Sequence, residues 1–180
     1  MAGIDVGYLT REGNKAAFAK DPGYAAVCNK LYSLGRFGQK TGRGLYIYHG
    51  REKSEDPEVL EIARQLAAEH GIQRRQITDQ EIIERTIYML VNEGAQTLDD
   101  GIAYRASDID LVYIHGYGFP LWRGGPMQYA DEIGLDRVLD GISNYRNKLG
   151  EYGEMWFRPA PLLQKLAREH KTFKDHDARN

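Results

Sequence analysis

A single cysteine, Cys28, stands in 180 residues. The chain therefore has no internal disulfide framework and suits a reducing compartment. Zinc-type ligand sets are also missing. The five histidines, His49, His70, His115, His170 and His176, are scattered rather than spaced in pairs, so no metal is expected. No apolar run reaches the ~20 residues that a membrane-spanning helix requires. The formal net charge is −2, which leaves no basic excess for nucleic acid or an anionic membrane surface. Arg74-Arg75 reads as a solvated helix end. Met1-Ala2-Gly3-Ile4-Asp5 has no basic region ahead of an apolar stretch. Ala178-Arg179-Asn180 is not a Ser-Lys-Leu peroxisomal address. A cytoplasmic location is the expectation.

What is present is mainly helical patterning. Tyr24, Val27, Leu31 and Leu34 recur at helical spacing and stop at Gly35. A glycine-rich stretch, Gly35 to Gly44, leads into Leu45-Tyr46-Ile47-Tyr48, which reads as extended. Residues 51–55 are polar and read as a linker. Asp56-Pro57 opens a helix with the stripe Val59, Leu60, Ala63, Leu66 and Ala67. Thr78-Asp79-Gln80-Glu81 is a capping box, followed by the stripe Ile83, Ile87, Leu90, Val91, Gly94 and Leu98. Ser107 offers a cap for the next helix, which Gly116 ends. Pro126, Leu135 and Pro161 start three more. The tail after Phe173 is polar, and fraying is expected there. No alternation of strand and helix supports a parallel sheet.

The chain also resembles itself. Ala2-Gly3-Ile4-Asp5 is similar to Ile133-Gly134-Leu135-Asp136, and Asn29-Lys30-Leu31 to Gln164-Lys165-Leu166. The order is kept and the offsets are close, as in a repeat. Residues 78–173 then form a complete repeat and residues 1–50 the back half of an earlier one. Residues 51–77 are linker and helix, and 174–180 a frayed tail. A half repeat leaves an apolar face uncovered, so self-association of the isolated chain is expected.

These residues carry a family resemblance. Gly35-Arg36-Phe37-Gly38-Gln39-Lys40-Thr41-Gly42-Arg43-Gly44-Leu45-Tyr46-Ile47-Tyr48 resembles the signature closing the first C-terminal repeat of 3-hydroxyacyl-CoA dehydrogenases. Ala2-Gly3-Ile4-Asp5-Val6-Gly7 resembles the segment ahead of it. Gly116-Tyr117-Gly118-Phe119-Pro120 and Arg123-Gly124-Gly125-Pro126 resemble the second repeat of the multifunctional enzymes. Their α-subunits join an enoyl-CoA hydratase, a Rossmann domain and two such repeats. The resemblance implies a mainly α fold of two tandem helical repeats, the first incomplete, with a short β-like segment near 44–48. It implies a parent that oxidises (3S)-3-hydroxyacyl-CoA with NAD in fatty-acid β-oxidation.

The resemblance also implies what this chain does not hold. The family's dinucleotide turn, Gly-x-Gly-x-x-Gly between strand and helix, does not occur, so no cofactor-binding residue is assigned. The family's His–Glu pair belongs to the Rossmann domain, and its substrate-positioning Asn opens the first repeat; neither has a counterpart here. At the matching place the second repeat has Glu84-Arg85, and a carboxylate cannot donate the hydrogen bonds of an amide. No catalytic residue is therefore assigned, and the isolated chain is expected to be inactive. The substrate-cleft candidates are Ala2, Gly3, Ile4, Val6 and Lys40. The implied partners are the Rossmann and hydratase domains, an acyl-CoA substrate and a thiolase subunit. Two alternatives stand beside this reading: a separate assembly subunit of a β-oxidation complex, and a standalone helical protein with its own ligand site.

Several residues have plainer readings. Lys40 and Arg43 among glycines suit a tight turn with positive φ more than a phosphate cradle. Cys28 falls on an apolar helix face and reads as a core thiol. His115 suits a helix C-terminus. Phe119 and Trp122 read as core packing between repeats. Asp99-Asp100 and Asp108/Asp110 read as caps or solvated carboxylates.

Overall fold

The computed structural model describes residues 3–18 and 23–177. It divides into two compact units, residues 1–76 and 77–180. In the first, α1 (Ile4–Gly13), α2 (Lys15–Phe18) and α3 (Ala26–Ser33) precede the glycine-rich turn. An antiparallel hairpin, β1 (Tyr46–His49) and β2 (Glu52–Glu55), and α4 (Pro57–Glu69) follow. The extended reading of 44–48 is thus realised as β1. The expected linker at 51–55 is instead mostly its partner strand. His49 pairs with Glu52 across the loop residues Gly50 and Arg51. Gly50 has φ +63°, as the first position of a two-residue type II′ hairpin loop demands.

This unit has very little core. Leu31 and Ile62 are its only fully buried apolar side chains among the described residues. Val6, Leu9, Tyr24, Leu34 and Leu60 remain exposed. Cys28, expected in the core, is half-buried. What closes the unit is polar and aromatic: Tyr8 stacks on Tyr32 at 3.8 Å, and Tyr32 meets Phe37 at 5.4 Å.

The second unit is a helical bundle: α5 (Asp79–Asp99), α6 (Ala106–Tyr117), α7 (Pro126–Ile133), α8 (Leu135–Lys148), α9 (Glu151–Trp156), α10 (Pro161–Arg168) and α11 (Phe173–Asp177). Thr78 caps α5 by accepting the Glu81 amide at 3.2 Å, as the sequence announces. The buried face of α5 is Tyr88, Val91, Ala95 and Leu98. Ile83, Ile87 and Leu90, expected on that face, are exposed or only half-buried. Against the buried face pack Met127 and Ala130 of α7, Val138 and Ile142 of α8, and Leu163 and Leu166 of α10. Each such side chain contributes about 1.5–3 kcal/mol on removal from water. Gly141 lets α8 approach α5, since a Cβ there would lie 2.7 Å from the Tyr88 ring. Asn92, buried, accepts the Ala160 amide at 2.7 Å and donates to the Arg158 carbonyl at 3.0 Å. It fixes the chain entering α10.

Three aspartates close a ring of helix caps. Asp110 of α6 accepts the Met127 and Gln128 amides that open α7, at 2.7 and 3.1 Å. Asp131 of α7 accepts the Phe173 and Lys174 amides that open α11, at 2.8 and 3.1 Å. Asp177 of α11 accepts the Ala106 amide that opens α6, at 3.0 Å from each oxygen. Each satisfies donors that a helix start leaves unpaired. The reading of Ser107 as the α6 cap is therefore corrected: the cap position is Arg105, and the carboxylate comes from 71 residues away. Asp110 is buried, not solvated. Of the tail expected to fray, residues 174–177 are helical, continuing from the fully buried Phe173, and 178–180 lie outside the described residues.

Helices in both units share one form of ending. After α3, the Arg36 amide donates to the Leu31 carbonyl at 3.0 Å, with Gly35 at φ +70°. After α10, the Lys171 amide donates to the Leu166 carbonyl at 2.9 Å, with His170 at φ +51°. This is the six-to-one closure of a Schellman motif, whose C′ residue is left-handed. A non-glycine residue there is strained. His170→Gly is expected to raise the unfolding free energy of the second unit by about 0.5–1 kcal/mol, since relief of the left-handed strain exceeds the added glycine entropy. Urea denaturation checks this; an unchanged or lower midpoint would contradict it.

Burial pushes the Asp110 carboxyl up to about 6, aided by the nearby charges of Asp131 and Asp177, while its two amide bonds pull the other way. Burial likewise raises Asp131. Between its ordinary value of 3.8 and about 6, the folded state holds a proton that the unfolded chain releases. Stability of this unit should therefore rise as pH falls from neutral through that window. Asp110→Asn should flatten the rise. Thermal melts across the window test it, and a monotonic fall in stability on acidification would refute the assignment.

Candidate functional site

The candidate site is built on the glycine-rich turn of the first unit. Gly38, at φ +114°, adopts a conformation that L side chains rarely take, and its amide donates to the Arg43 carbonyl at 2.9 Å. Gly44 packs onto it: a Cβ at Gly44 would lie 2.7 Å from the Gly38 Cα. The turn doubles back tightly, as expected from its glycines. Between them a 3-10 turn, Gln39–Thr41, carries Lys40 outward.

An ion-pair network ties this turn to α4. The Arg36 guanidinium is buried and pairs with the buried Asp56 carboxylate. Arg43 donates to the same carboxylate at 2.9 Å and to Glu58 at 3.0 Å. Asp56 also accepts the Glu58 amide at 3.1 Å, capping α4. Burial pushes the Asp56 carboxyl up. The Arg43 hydrogen bond, the Glu58 amide and the two guanidinium charges outweigh it and hold the group below its usual value. The sequence shows Asp56 as a cap only; its ion-pair role depends on the turn bringing Arg36 and Arg43 beside it.

Beside the turn lies an open cavity of about 400 Å³, lined by Gly3, Ile4, Phe37, Lys40, Tyr46, Tyr48 and neighbouring turn residues. The Ile4 amide donates to the Phe37 carbonyl at 3.0 Å, which holds the start of α1 against the turn. Lys40 pairs with Asp5 at 2.5 Å and lies 5.6 Å from the Phe37 ring. The Lys40 hydrogen bond draws the Asp5 carboxyl below its ordinary value. The walls are aromatic and the rim holds one half-exposed cation. Such a cavity takes an apolar group and can meet an anion at its edge.

The structure brings Gly3, Ile4 and Lys40 to this cavity. Val6 is exposed and does not line it. Ala2 lies outside the described residues. Phe37, Leu45, Tyr46 and Tyr48 line it and were not among the sequence candidates. The i, i+2 spacing of the two tyrosines in an extended run was the available signal.

In the second unit, both oxygens of Glu84 are engaged. Tyr145 donates its hydroxyl to one at 2.7 Å, and Gln80 its amide to the other at 2.8 Å. Burial and the Glu84 bond push the Tyr145 phenol up to about 12, so it stays protonated. Glu84 thus cross-links α5 to α8. Trp122, expected in a core, is 76% exposed. His115 sits in the last turn of α6, which runs to Tyr117 and ends at left-handed Gly118, not Gly116.

The glycine-rich turn at 35–44 does not have the form that holds a dinucleotide. The glycine turn leads from a helix into a hairpin, whereas pyrophosphate is held where a glycine turn opens a helix. Among the described residues, no three His, Cys, Asp or Glu side chains are placed to hold a metal ion. No helix among them is long and apolar enough to cross a membrane.

Comparison with known proteins gives consistent matches. The family model described as "3-hydroxyacyl-CoA dehydrogenase, C-terminal domain" matches residues 82–178, more than half of the chain. The chain is 41% identical to the peroxisomal bifunctional enzyme of Danio rerio and 38% identical to that of Homo sapiens. These alignments cover 92% and 93% of the chain but 25% of each relative. It is 32% identical to the fatty acid oxidation complex subunit alpha of Pseudomonas syringae, over 96% of the chain and 24% of that protein. The chain thus spans about a quarter of the length of the curated relatives it matches. Among solved structures, the dehydrogenase part of multifunctional enzyme 1 from C. elegans aligns with a TM-score of 0.66 at 28% identity. That alignment covers 91% of this chain and 36% of that one.

Asp56→Ala leaves the buried Arg36 without its deepest partner. Loss of one partner of a buried pair costs about 3–5 kcal/mol. The expected outcome is loss of hydrogen-exchange protection in residues 36–69, with the second unit unaffected. Unchanged protection there would refute the network's role.

Proposed function

The chain belongs to the family of 3-hydroxyacyl-CoA dehydrogenase C-terminal domains, and from that premise we propose that it is the helical C-terminal portion of a multifunctional β-oxidation enzyme. The parent would oxidise (3S)-3-hydroxyacyl-CoA to the 3-ketoacyl-CoA with NAD bound in a Rossmann domain outside this chain. The observation that carries the reading is the aromatic cavity beside the glycine turn, with Lys40 at its rim. There Ile4, Phe37, Tyr46 and Tyr48 would form one wall of the acyl-CoA cleft. Lys40, released from Asp5, would offer a cation to the anionic part of the substrate.

Residues 78–173 are read as a complete second repeat, and 1–50 as the back half of a first. The similarity of Asn29-Lys30-Leu31 to Gln164-Lys165-Leu166 supports this. The occupied oxygens of Glu84 support the second repeat as a structural copy, not a second active site. The exposed Val6, Leu9 and Leu60 of the first unit support a face to be covered, by the rest of the parent or by self-association. The Rossmann and hydratase domains are the partners in this reading, with a thiolase subunit as a further one. For location the reading keeps the cytoplasm and the peroxisome side by side, the second after the peroxisomal names of the animal relatives.

The purified chain is expected to form no NADH from a 3-hydroxyacyl-CoA, and Glu84→Asn is expected not to create activity. In the full-length parent, Lys40→Met and Tyr46→Ala are expected to raise KM for the acyl-CoA more than they lower kcat. Turnover by the isolated chain would overturn the first expectation. An unchanged KM in both parent variants would remove this cavity from the cleft.

A further inference from the structure

The strongest feature outside the cavity just described is an apolar groove wholly within the second unit. Its volume is about 490 Å³. Ile83, Ile87 and Leu90 form its floor along one face of α5. At a rise of ~1.5 Å per residue, that floor is about 10 Å long. Tyr113 and Tyr117 of α6 form one wall, their rings 5.3 Å apart. The loop after α6 closes the other side with Phe119, Pro120 and Trp122.

Tyr113 packs against the core of this unit, but the groove's other main walls stand outside it. Trp122 and Tyr117 are 76% and 77% exposed. The α5 residues are the half of the apolar stripe that the bundle leaves outside. A clustered apolar surface of this kind marks a binding site more than ordinary surface.

The rim carries one charge with a specific geometry. The Arg123 guanidinium lies 4.3 Å from the Trp122 ring centre and 5.3 Å from that of Tyr129. Two aromatic rings thus orient it. Among the described residues no carboxylate pairs with it, whereas Arg36, Arg43, Arg105 and Arg146 each have one. A held guanidinium with free donors suits a carboxylate or another planar anion. The floor offers no hydrogen-bonding side chain, so a polypeptide backbone laid there would lose its partners to desolvation, while an alkyl chain loses none.

We propose that this groove binds a medium-length alkyl chain with an anionic head, the tail on Ile83, Ile87 and Leu90 and the head at Arg123. This site is separate from the cleft wall of the first unit and does not rest on that reading. The shared chemistry is a fatty acyl tail with an anion, free as a carboxylate or carried on CoA.

The test uses the whole 180-residue chain. Trp156→Phe leaves Trp122 as the sole tryptophan and a local reporter. Decanoate, decanoyl-CoA, decanol and CoA are each titrated, with fluorescence and thermal shift read together. Saturable binding of decanoate or decanoyl-CoA is expected, and the tighter of the two names the source. Decanol should bind about tenfold more weakly or worse, as loss of a charge-assisted hydrogen bond predicts. Arg123→Gln should weaken the anion by a similar factor while leaving decanol unchanged, and Leu90→Gln should weaken both. The proposal is overturned by equal binding of decanol and decanoate, by CoA binding as well as decanoyl-CoA, or by unchanged affinity in Arg123→Gln. A Trp122 signal that tracks protein concentration in light scattering would assign the groove to a second copy and overturn it too. Circular dichroism separates lost binding from lost folding, and Arg123→Lys, which keeps the charge, should retain part of the affinity.

Discussion

The first-turn amides of a helix have no partner inside the helix, and for α4, α6, α7 and α11 aspartates supply it. Asp56 does so locally for α4. Asp110, Asp131 and Asp177 do so across the second unit for α7, α11 and α6 in turn. The three long-range caps form a closed cycle, so no one helix end can open without releasing a carboxylate that another element holds. The groove depends on α6 and α7 held in this way. The cost is carboxylates taken out of water, visible in the raised Asp110 and Asp131 groups.

The two units solve the same packing problem with different means. The second buries a continuous apolar cluster from Tyr88 to Phe173. Among its described residues the first buries two apolar side chains, and it relies on a buried guanidinium–carboxylate pair and stacked aromatics. A buried ion pair is weak support for stability but is costly to break. It suits a unit whose remaining apolar surface faces outward. That contrast agrees with an incomplete first repeat, and with a chain that spans about a quarter of its relatives.

The functional residues follow the same division. The glycine turn is rigid because Gly38 and Gly44 touch backbone to backbone, and it presents Lys40 beside aromatic walls. The second unit has an acidic residue, Glu84, locked between α5 and α8 by Tyr145 and Gln80. Its open surface lies elsewhere, on the other face of α5. One unit thus carries a cavity in its turn, and the other a groove on its surface.

Much of the fold was legible in the sequence by itself. The Gly35 stop, the Thr78 and Asp56 caps, the Pro126 and Pro161 starts and the glycine turn all act within about four residues. Short-range signals of that kind survive in a linear reading, and so did the family resemblance they carry. Gly3, Ile4 and Lys40 were named through that resemblance, and the fold brings them to one cavity. Tertiary structure alone decided the rest. On α5 the stripe Ile83, Ile87, Leu90 is as apolar as Tyr88, Val91, Ala95, so periodicity could not say which one the bundle covers. Asp110, Asp131 and Asp177 look like solvated carboxylates in sequence, because the amides they accept lie 17, 42 and 71 residues away. A hydrogen bond needs atoms about 3 Å apart, and over such separations only the folded chain sets that distance.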